Sequence, residues 1–219
     1  MTPDTIDSLI WDAGGTLFDS YPAVVTACRA ALAEFDVTVP VAWLMELFRT
    51  STSHAVETLA RTYALDPALL EQRYRAAYRM INATLQPPFP HVREICAYVC
   101  ERGGENFIVT HRQRTSLDPL LEAHDMARFF KDIITKEDPY PRKPNPASLS
   151  ALVQRHRLQP ERCLAIGDRE IDIIAANKAG MRSCFFGREP HETPADLEIY
   201  DFGQLLLWLK AGEMETASA

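Results

Sequence analysis

Apolar and polar positions follow two different periods along this chain. Between residues 22 and 85, apolar side chains recur three or four positions apart, which is the period of an amphipathic helix. From about residue 91 onward, short apolar runs alternate with segments that keep the helical period. Strands that alternate with helices predict right-handed βαβ units and a parallel sheet. The chain is therefore expected to combine an all-helical block with an α/β part.

Two residues in the helical block are expected to cap helices. Asp66 precedes Pro67, and this pair is typical of an N-cap followed by the first helical residue. Ser53 ends a polar break at residues 49–53 and is predicted to cap the helix that follows.

The predicted strands are short and buried, and the first lies apart from the others. In chain order they span residues 9–11, 107–109, 133–135, 163–166 and 183–186, and the last of these ends the predicted sheet. The helical block therefore interrupts the sheet after its first strand, and a proline-rich segment leads back. We expect a doubly wound, Rossmann-like α/β core of residues 1–16 and 88–219, with a helical cap domain of residues 17–87 inserted in it. Such a cap can close over a substrate and exclude water.

A carboxylate and two glycines directly follow the first predicted strand. The sequence of residues 11–16 is Trp-Asp-Ala-Gly-Gly-Thr, so Asp12 ends the apolar run. In open α/β sheets, side chains at the carboxyl ends of strands point into the crevice where such folds bind ligands. Glycine lets the backbone turn tightly and approach a ligand closely. Asp12 is therefore a candidate functional residue.

Three further stretches place polar groups at the ends of predicted strands or in the adjoining loops. Thr110 can donate a hydrogen bond to a phosphoryl oxygen, and Lys143 lies where its ammonium group can neutralise negative charge. Asp168 and Asp172 are four positions apart at a helix start, so they share a face. Two such carboxylates suit a hard cation that prefers oxygen ligands, such as Mg²⁺.

Composition and charge exclude several possible partners and locations for this protein. The chain of 219 residues has a formal net charge of −7 and no basic arm, so nucleic acid is not expected as a partner. No apolar run reaches the ~18 residues of a membrane span, and the acidic start is unlike a signal peptide. Five cysteines without a Cys-x-x-Cys pair give no sign of a disulfide framework. We therefore expect a cytoplasmic protein that has no membrane partner, and no pattern predicts its oligomeric state.

These polar residues form four groups that resemble, in their order along the chain and in their position after predicted strands, the motifs of the haloacid dehalogenase-like (HAD) hydrolases. They are Asp12, Thr110, Lys143 and the pair Asp168 and Asp172. The similarity extends through residues 89–94, 129–135 and 171–181. The position of the expected cap resembles the phosphoglycolate phosphatase and β-phosphoglucomutase branch of the family.

The resemblance implies a Mg²⁺-dependent phosphatase whose catalytic residues are Asp12, Thr110 and Lys143. Asp12 would attack phosphorus to form an aspartyl-phosphate, which water would then cleave. Asp12, the backbone carbonyl of Gly14 and Asp168 would bind the metal, with Asp172 holding a metal-bound water or orienting Lys143. The implied phosphate-binding residues are Gly14, Gly15, Thr16, Thr110, His111 and Lys143.

One position departs from the family pattern. The first motif is usually Asp-x-Asp-Gly-Thr, and this chain has Gly14 in place of the second Asp. In family phosphatases that Asp protonates the leaving group and then activates water. General acid–base catalysis of this kind accelerates the reaction roughly 10²–10⁴-fold. A good leaving group would reduce this need, and water or another residue could replace the Asp. The nearby candidates are Asp19, His54 and His111.

The absence of an Asp at position 14 is also found in HAD proteins with other functions. Phosphonoacetaldehyde hydrolases lack the same Asp but need a cap lysine, and residues 17–87 contain no lysine. Haloacid dehalogenases do not keep the pair formed here by Asp168 and Asp172, and a phosphomutase would need acid–base help in both half-reactions. The expected function is therefore Mg²⁺-dependent hydrolysis of a small phosphorylated metabolite. The alternative is a catalytically weak protein that binds a phosphorylated ligand or has a regulatory role.

Overall fold

The computed structural model describes residues 6–188 and 191–216. They form two compact units. One consists of the described residues up to Phe18 and from Pro88 onward, and the other is Asp19–Pro87. None of the helices in these described stretches has the length and apolar character needed to cross a membrane.

The elements of the first unit alternate between strands and helices, and the second unit is helical. The helices are α1 (Tyr21–Ala33), α2 (Val41–Thr50), α3 (Thr52–Thr62), α4 (Pro67–Arg79), α5 (Val92–Glu101), α6 (Arg114–Ala123), α7 (Ala147–His156), α8 (Glu170–Lys178) and α9 (Phe202–Thr216). The strands are β1 (Ser8–Trp11), β2 (Glu105–Val109), β3 (Phe130–Ile134), β4 (Cys163–Gly167), β5 (Arg182–Phe186) and β6 (Leu197–Ile199). Helices α1–α4 belong to the second unit, and all other elements belong to the first.

The described strands pair in parallel in one six-stranded sheet, in the order β3-β2-β1-β4-β5-β6. Strand β1 lies inside the sheet, where Trp11 is opposite Ile108 of β2 and Ile166 of β4. The strand order changes direction beside β1, and ligands of open α/β sheets bind at such a switch point. The predicted doubly wound parallel sheet is confirmed.

The prediction that the sheet ends at residue 186 is wrong. Strand β6 pairs with β5 through Leu197, Glu198 and Ile199. Of these residues only Ile199 is buried, and Glu198 is exposed. The segment therefore lacks the apolar run by which the other strands are recognised.

The helices of the second unit pack around an apolar core of their own. Asp66 caps α4 as predicted, because its Oδ1 accepts hydrogen bonds from two backbone amides of the first turn at 2.8 and 3.1 Å. The prediction that Ser53 caps α3 is wrong. Ser51 does so, since its hydroxyl oxygen accepts a hydrogen bond from the His54 amide at 3.0 Å. The polar break contains several hydroxyl groups, and Ser51 is the one with the extended backbone that an N-cap needs.

A buried amide connects the centre of the sheet to α5. Asn106 of β2 is fully buried, and its Oδ1 accepts a hydrogen bond from Nε1 of Trp11 at 3.1 Å. Its Nδ2 donates to the carbonyl of Cys96 at 3.0 Å. Trp11 directly precedes Asp12, so this network fixes the end of β1 from which the Asp12 carboxylate projects.

Replacing Asn106 with alanine should lower the free energy of unfolding by about 1–3 kcal/mol, since it leaves the buried Trp11 indole N–H without its acceptor. Urea denaturation measures the change. The matched control is Asn82→Ala, at an exposed turn where the side chain accepts one hydrogen bond from the Thr84 amide. The control should cost no more than about 1 kcal/mol, and an equal loss in both variants would contradict the role of the buried network.

Candidate functional site

The candidate site lies at the carboxyl ends of the central strands. Asp12 follows β1, and its backbone amide donates a hydrogen bond to Ile166 of β4 at 2.9 Å. Thr110 follows β2, and its amide donates to Ile134 of β3 at 3.0 Å. Both side chains are almost completely buried. The parallel ladder therefore continues past each strand end and holds both residues in fixed positions.

The loop after Asp12 folds back on itself. The amide of Phe18 donates to the carbonyl of Ala13, and the amide of Gly15 donates to the carbonyl of Phe18, both at 2.9 Å. Gly15 has φ of +86°, a value that other residues rarely adopt. Gly14 does not lie in that left-handed region. The backbone angle therefore favours glycine at position 15 and gives no such reason for glycine at position 14.

Lys143 joins the ends of β1 and β2 to the start of α8 through its ammonium group. Its Nζ donates hydrogen bonds to Oδ1 of Asp12 at 2.6 Å and to the carbonyl of Val109 at 2.9 Å. It also lies 2.5 Å from Oδ1 of Asp172. The angles of that last contact do not suit a hydrogen bond, so we treat it as an ion pair. The three charged side chains are buried together.

Asp12 and Lys143 each favour the ionised form of the other. Burial alone would raise the pKa of the Asp12 carboxyl, but the nearby charges of Lys143 and Arg169 outweigh it and hold that pKa below its usual value. Burial would likewise lower the pKa of Lys143, and Asp12 and Asp172 raise it instead. Asp12 is consequently an anion at neutral pH. Lys143 occupies its Oδ1, and in the part of the chain that the structure describes no donor binds its Oδ2.

The two predicted metal-binding carboxylates at the start of α8 have different partners. Asp168 follows β4, and its Oδ1 accepts a hydrogen bond from the hydroxyl of Thr16 at 2.9 Å. This bond ties the loop after β4 to the loop after β1. Asp172 faces Lys143 with Oδ1, and its Oδ2 accepts a hydrogen bond from the Arg169 amide at 3.2 Å. Asp172 is thus engaged on both oxygens by groups of this chain.

Gly167 makes room for Asp172. A Cβ atom placed on Gly167 would lie 2.3 Å from Cβ of Asp172 and 2.6 Å from its Oδ2. Any larger residue at the end of β4 would therefore push the Asp172 carboxylate away from Lys143.

Thr110 and His111 form the loop after β2. The hydroxyl oxygen of Thr110 accepts a hydrogen bond from the Arg112 amide at 3.2 Å, and its O–H remains a donor. Nε2 of His111 accepts a hydrogen bond from the backbone amide of Lys143 at 2.9 Å. Burial first, and then the charges of Lys143 and Arg169, lower the pKa of His111 to about 3. The imidazole is therefore neutral at physiological pH.

The structure brings most of the predicted site residues together in the first unit. The predicted residues of this unit are Asp12, Gly14, Gly15, Thr16, Thr110, His111, Lys143, Asp168 and Asp172. Asp19 and His54, two candidates for the missing acid–base group, belong to the second unit. Sequence reasoning missed Arg169, whose charge affects the pKa of Asp12, His111 and Lys143. Its position in the sequence directly after Asp168 is the feature that could have identified it as a site residue.

The donor set has the chemistry that a small hard cation requires. In the described residues, no three His, Cys, Asp or Glu side chains are grouped so as to hold a metal ion. Mg²⁺, however, is usually bound through one or two carboxylates and keeps several water molecules. Asp12 is ionised at neutral pH, and Asp168 is half-buried at the neighbouring strand end. Two carboxylates and a backbone carbonyl therefore fit this cation.

Comparisons with known proteins agree with this fold. The phosphoglycolate phosphatase of Vibrio vulnificus (strain YJ016) is 27% identical over 192 residues, which cover 84% of this chain and 84% of the relative. A predicted phosphoglycolate phosphatase from Haemophilus somnus 129PT has the same fold, with a TM-score of 0.83 at 19% identity over 93% of this chain and 97% of that one.

A HAD family hydrolase from Deinococcus radiodurans R1, crystallised with bound phosphate and sodium, also shares the fold. Its TM-score is 0.76 at 19% identity, and the match covers 95% of this chain and 97% of that one. The sequence model described as "Haloacid dehalogenase-like hydrolase" matches residues 9–186, which include every predicted site residue. The resemblance inferred from the motifs is confirmed, and the chain belongs to the haloacid dehalogenase-like hydrolase family.

Proposed function

We propose that this protein hydrolyses a small phosphorylated metabolite through an aspartyl-phosphate on Asp12. The observation that carries the proposal is the state of that carboxylate. It is buried and ionised, Lys143 holds one of its oxygens, and the other oxygen has no donor among the described residues. A carboxylate in this state is a nucleophile with a defined direction of attack. The phosphoglycolate phosphatases among the relatives support phosphate esters as substrates.

The reaction has two steps. Oδ2 of Asp12 attacks phosphorus, and the bond between phosphorus and the leaving-group oxygen breaks with its electron pair on that oxygen. Water then attacks phosphorus, which releases inorganic phosphate and restores the Asp12 carboxylate. The ammonium group of Lys143 and the hydroxyl of Thr110 stabilise the negative charge on the phosphoryl oxygens.

Asp12, Asp168 and the backbone carbonyl of Gly14 would hold Mg²⁺. When bound, the cation would neutralise charge on the transferring phosphoryl group. Asp172 is assigned to Lys143, because the ion pair at 2.5 Å and the hydrogen bond from the Arg169 amide engage both of its oxygens. Of the two roles open to Asp172, orienting Lys143 is the one that its contacts favour.

Gly14 determines which substrates suit this site. A glycine cannot protonate the leaving oxygen, so the first step must expel that oxygen as an anion or with a proton from water. Acyl, anomeric and aryl phosphates expel their leaving-group oxygen as an anion more readily than simple alkyl esters do. We therefore assign the protein to phosphates with good leaving groups.

A phospho-ligand-binding protein is the second candidate, and Gly14 is the observation that favours it. The two functions differ in turnover. A screen of phosphorylated metabolites with and without Mg²⁺ should show phosphate release at rates near those of family phosphatases if the protein is an enzyme. Saturable binding of the same compounds without release would support the second candidate.

Replacing Asp12 with asparagine should abolish Mg²⁺-dependent phosphate release from p-nitrophenyl phosphate, because the amide lacks a nucleophilic oxygen. A colorimetric assay of p-nitrophenol release measures this. The control is Asp118→Asn, since Asp118 is an exposed residue on α6 whose pairing with Arg114 is at the surface. The control should retain activity, and unchanged release by the Asp12 variant would refute the assignment.

The rate should depend steeply on the pKa of the leaving group across a series of aryl and alkyl phosphates. Gly14→Asp should raise the activity toward alkyl phosphates by about 10²-fold, because it supplies a general acid. Gly14 does not have a positive φ, whereas Gly15→Asp would strain the turn and serves as the matched control. A flat dependence on leaving-group pKa would mean that another group supplies the proton.

Replacing Lys143 with methionine should destabilise the fold more at pH 8 than at pH 5. In the native chain Lys143 lowers the pKa of Asp12, so the stabilisation is present above the usual carboxyl pKa and is lost only as pH falls through the lowered value. Without Lys143, burial raises the pKa of the Asp12 carboxyl in the folded state, and stability then falls as pH rises. The expected loss at pH 8 is about 3–5 kcal/mol.

Urea denaturation at both pH values measures this effect. Lys131→Met is the control, because Lys131 pairs with Glu105 at the surface and its side chain is about half exposed. That variant should lose less than about 1 kcal/mol at either pH. A loss for the Lys143 variant that is independent of pH would show that the carboxylates do not depend on this cation.

A further inference from the structure

We propose that His111 is a positioning residue, which holds the backbone of Lys143 so that its ammonium group reaches Asp12. The contact is the hydrogen bond of 2.9 Å that Nε2 of His111 accepts from the Lys143 amide. The kinetic part of this inference rests on the proposed phosphatase function. The structural part, a hydrogen bond that orders the lysine loop, does not.

Lys143 lies in the long loop between β3 and α7, and His111 lies in the loop after β2. The Lys136 amide donates a hydrogen bond to the Arg112 carbonyl at 3.1 Å, and the amide of Arg114, the first residue of α6, donates to Glu137 at 2.8 Å. Both bonds hold the beginning of the lysine loop. The bond to His111 is made several residues later, at the backbone of the functional lysine itself.

The position of Lys143 has to be accurate because its side chain contacts acceptors from different strand ends. Its Nζ reaches Asp12 at 2.6 Å, the Val109 carbonyl at 2.9 Å and Asp172 at 2.5 Å. A displacement of about 1 Å in a catalytic group can cost about 10²-fold in rate. A backbone hydrogen bond at the lysine itself limits such displacement directly.

The chemistry of the imidazole agrees with this role and not with proton transfer. An Nε2 atom that accepts a hydrogen bond carries no proton, so the ring is neutral with its proton on Nδ1. The adjacent cations Lys143 and Arg169 disfavour a second proton on the ring. His111 therefore cannot supply a proton from Nε2 while it holds Lys143, and it is not the replacement for the missing Asp.

Two substitutions of His111 distinguish a positioning role from a role in proton transfer. The amide oxygen of glutamine lies close to the position of Nε2, whereas that of asparagine lies close to the position of Nδ1. His111→Gln should therefore recover most of the kcat/KM for p-nitrophenyl phosphate, and His111→Asn should lose about 10²-fold. If His111 were the acid or base, both variants would lose activity equally, together with one limb of the pH profile. Equal activity of both variants with the native protein would also overturn the proposal.

Hydrogen exchange of the Lys143 amide, followed by NMR, tests the same bond without any assay of activity. Exchange should be about tenfold faster in His111→Asn than in the native protein and nearly native in His111→Gln. The control is His91→Asn, at an exposed histidine of the same unit that pairs with Glu94 at the surface. It should leave both the exchange rate and kcat/KM unchanged.

This exchange measurement also separates the two proposals. If the native protein releases no phosphate from any substrate, but the exchange rates follow the expected order, the proposed function fails and the hydrogen bond stands. If all variants exchange at the native rate, the positioning role of His111 is wrong whatever the activity.

Discussion

The buried ion pairs of one lysine with two carboxylates are the interaction on which the rest of this structure depends. Removing each charge from water costs several kcal/mol, and the mutual attraction offsets that cost only when the geometry is good. Asp12, Lys143 and Asp172 meet this condition because each is held by backbone as well as by charge. Removing one of these three charges would leave the others buried without a partner, which is unfavourable. The three charges therefore have to come together as the protein folds.

The sheet supplies the accuracy that this cluster needs. Strands β1, β2 and β4 are neighbours, and each contributes one element at its carboxyl end: the Asp12 carboxylate, the Val109 carbonyl, and the turn that leads to Asp172. Gly167 lets the Asp172 side chain lie against the end of β4, where any Cβ atom would collide with it. The order of the strands in a doubly wound sheet therefore decides which charges meet.

Much of this arrangement follows from the sequence. Strands with continuous apolar runs and the polar residues directly after them could be predicted, since strand ends in a parallel sheet share one edge. Strand β6 could not, because a single buried side chain, Ile199, gives no recognisable period. Ser51 was missed because several hydroxyl residues compete at the same break. The bond between His111 and Lys143 joins residues 32 positions apart, and no local pattern records which ring nitrogen faces which amide.

In the loop after β1, the residue that shapes the turn is not the residue at which family phosphatases carry their acid–base group. The shape of the loop depends on the positive φ of Gly15 and on the hydrogen bonds of Phe18, whereas residue 14 takes an ordinary backbone conformation. The backbone angle at position 14 therefore does not itself require glycine. The position where family phosphatases carry their acid–base Asp is thus distinct from the glycine that shapes the turn, so evolution can change one without changing the other.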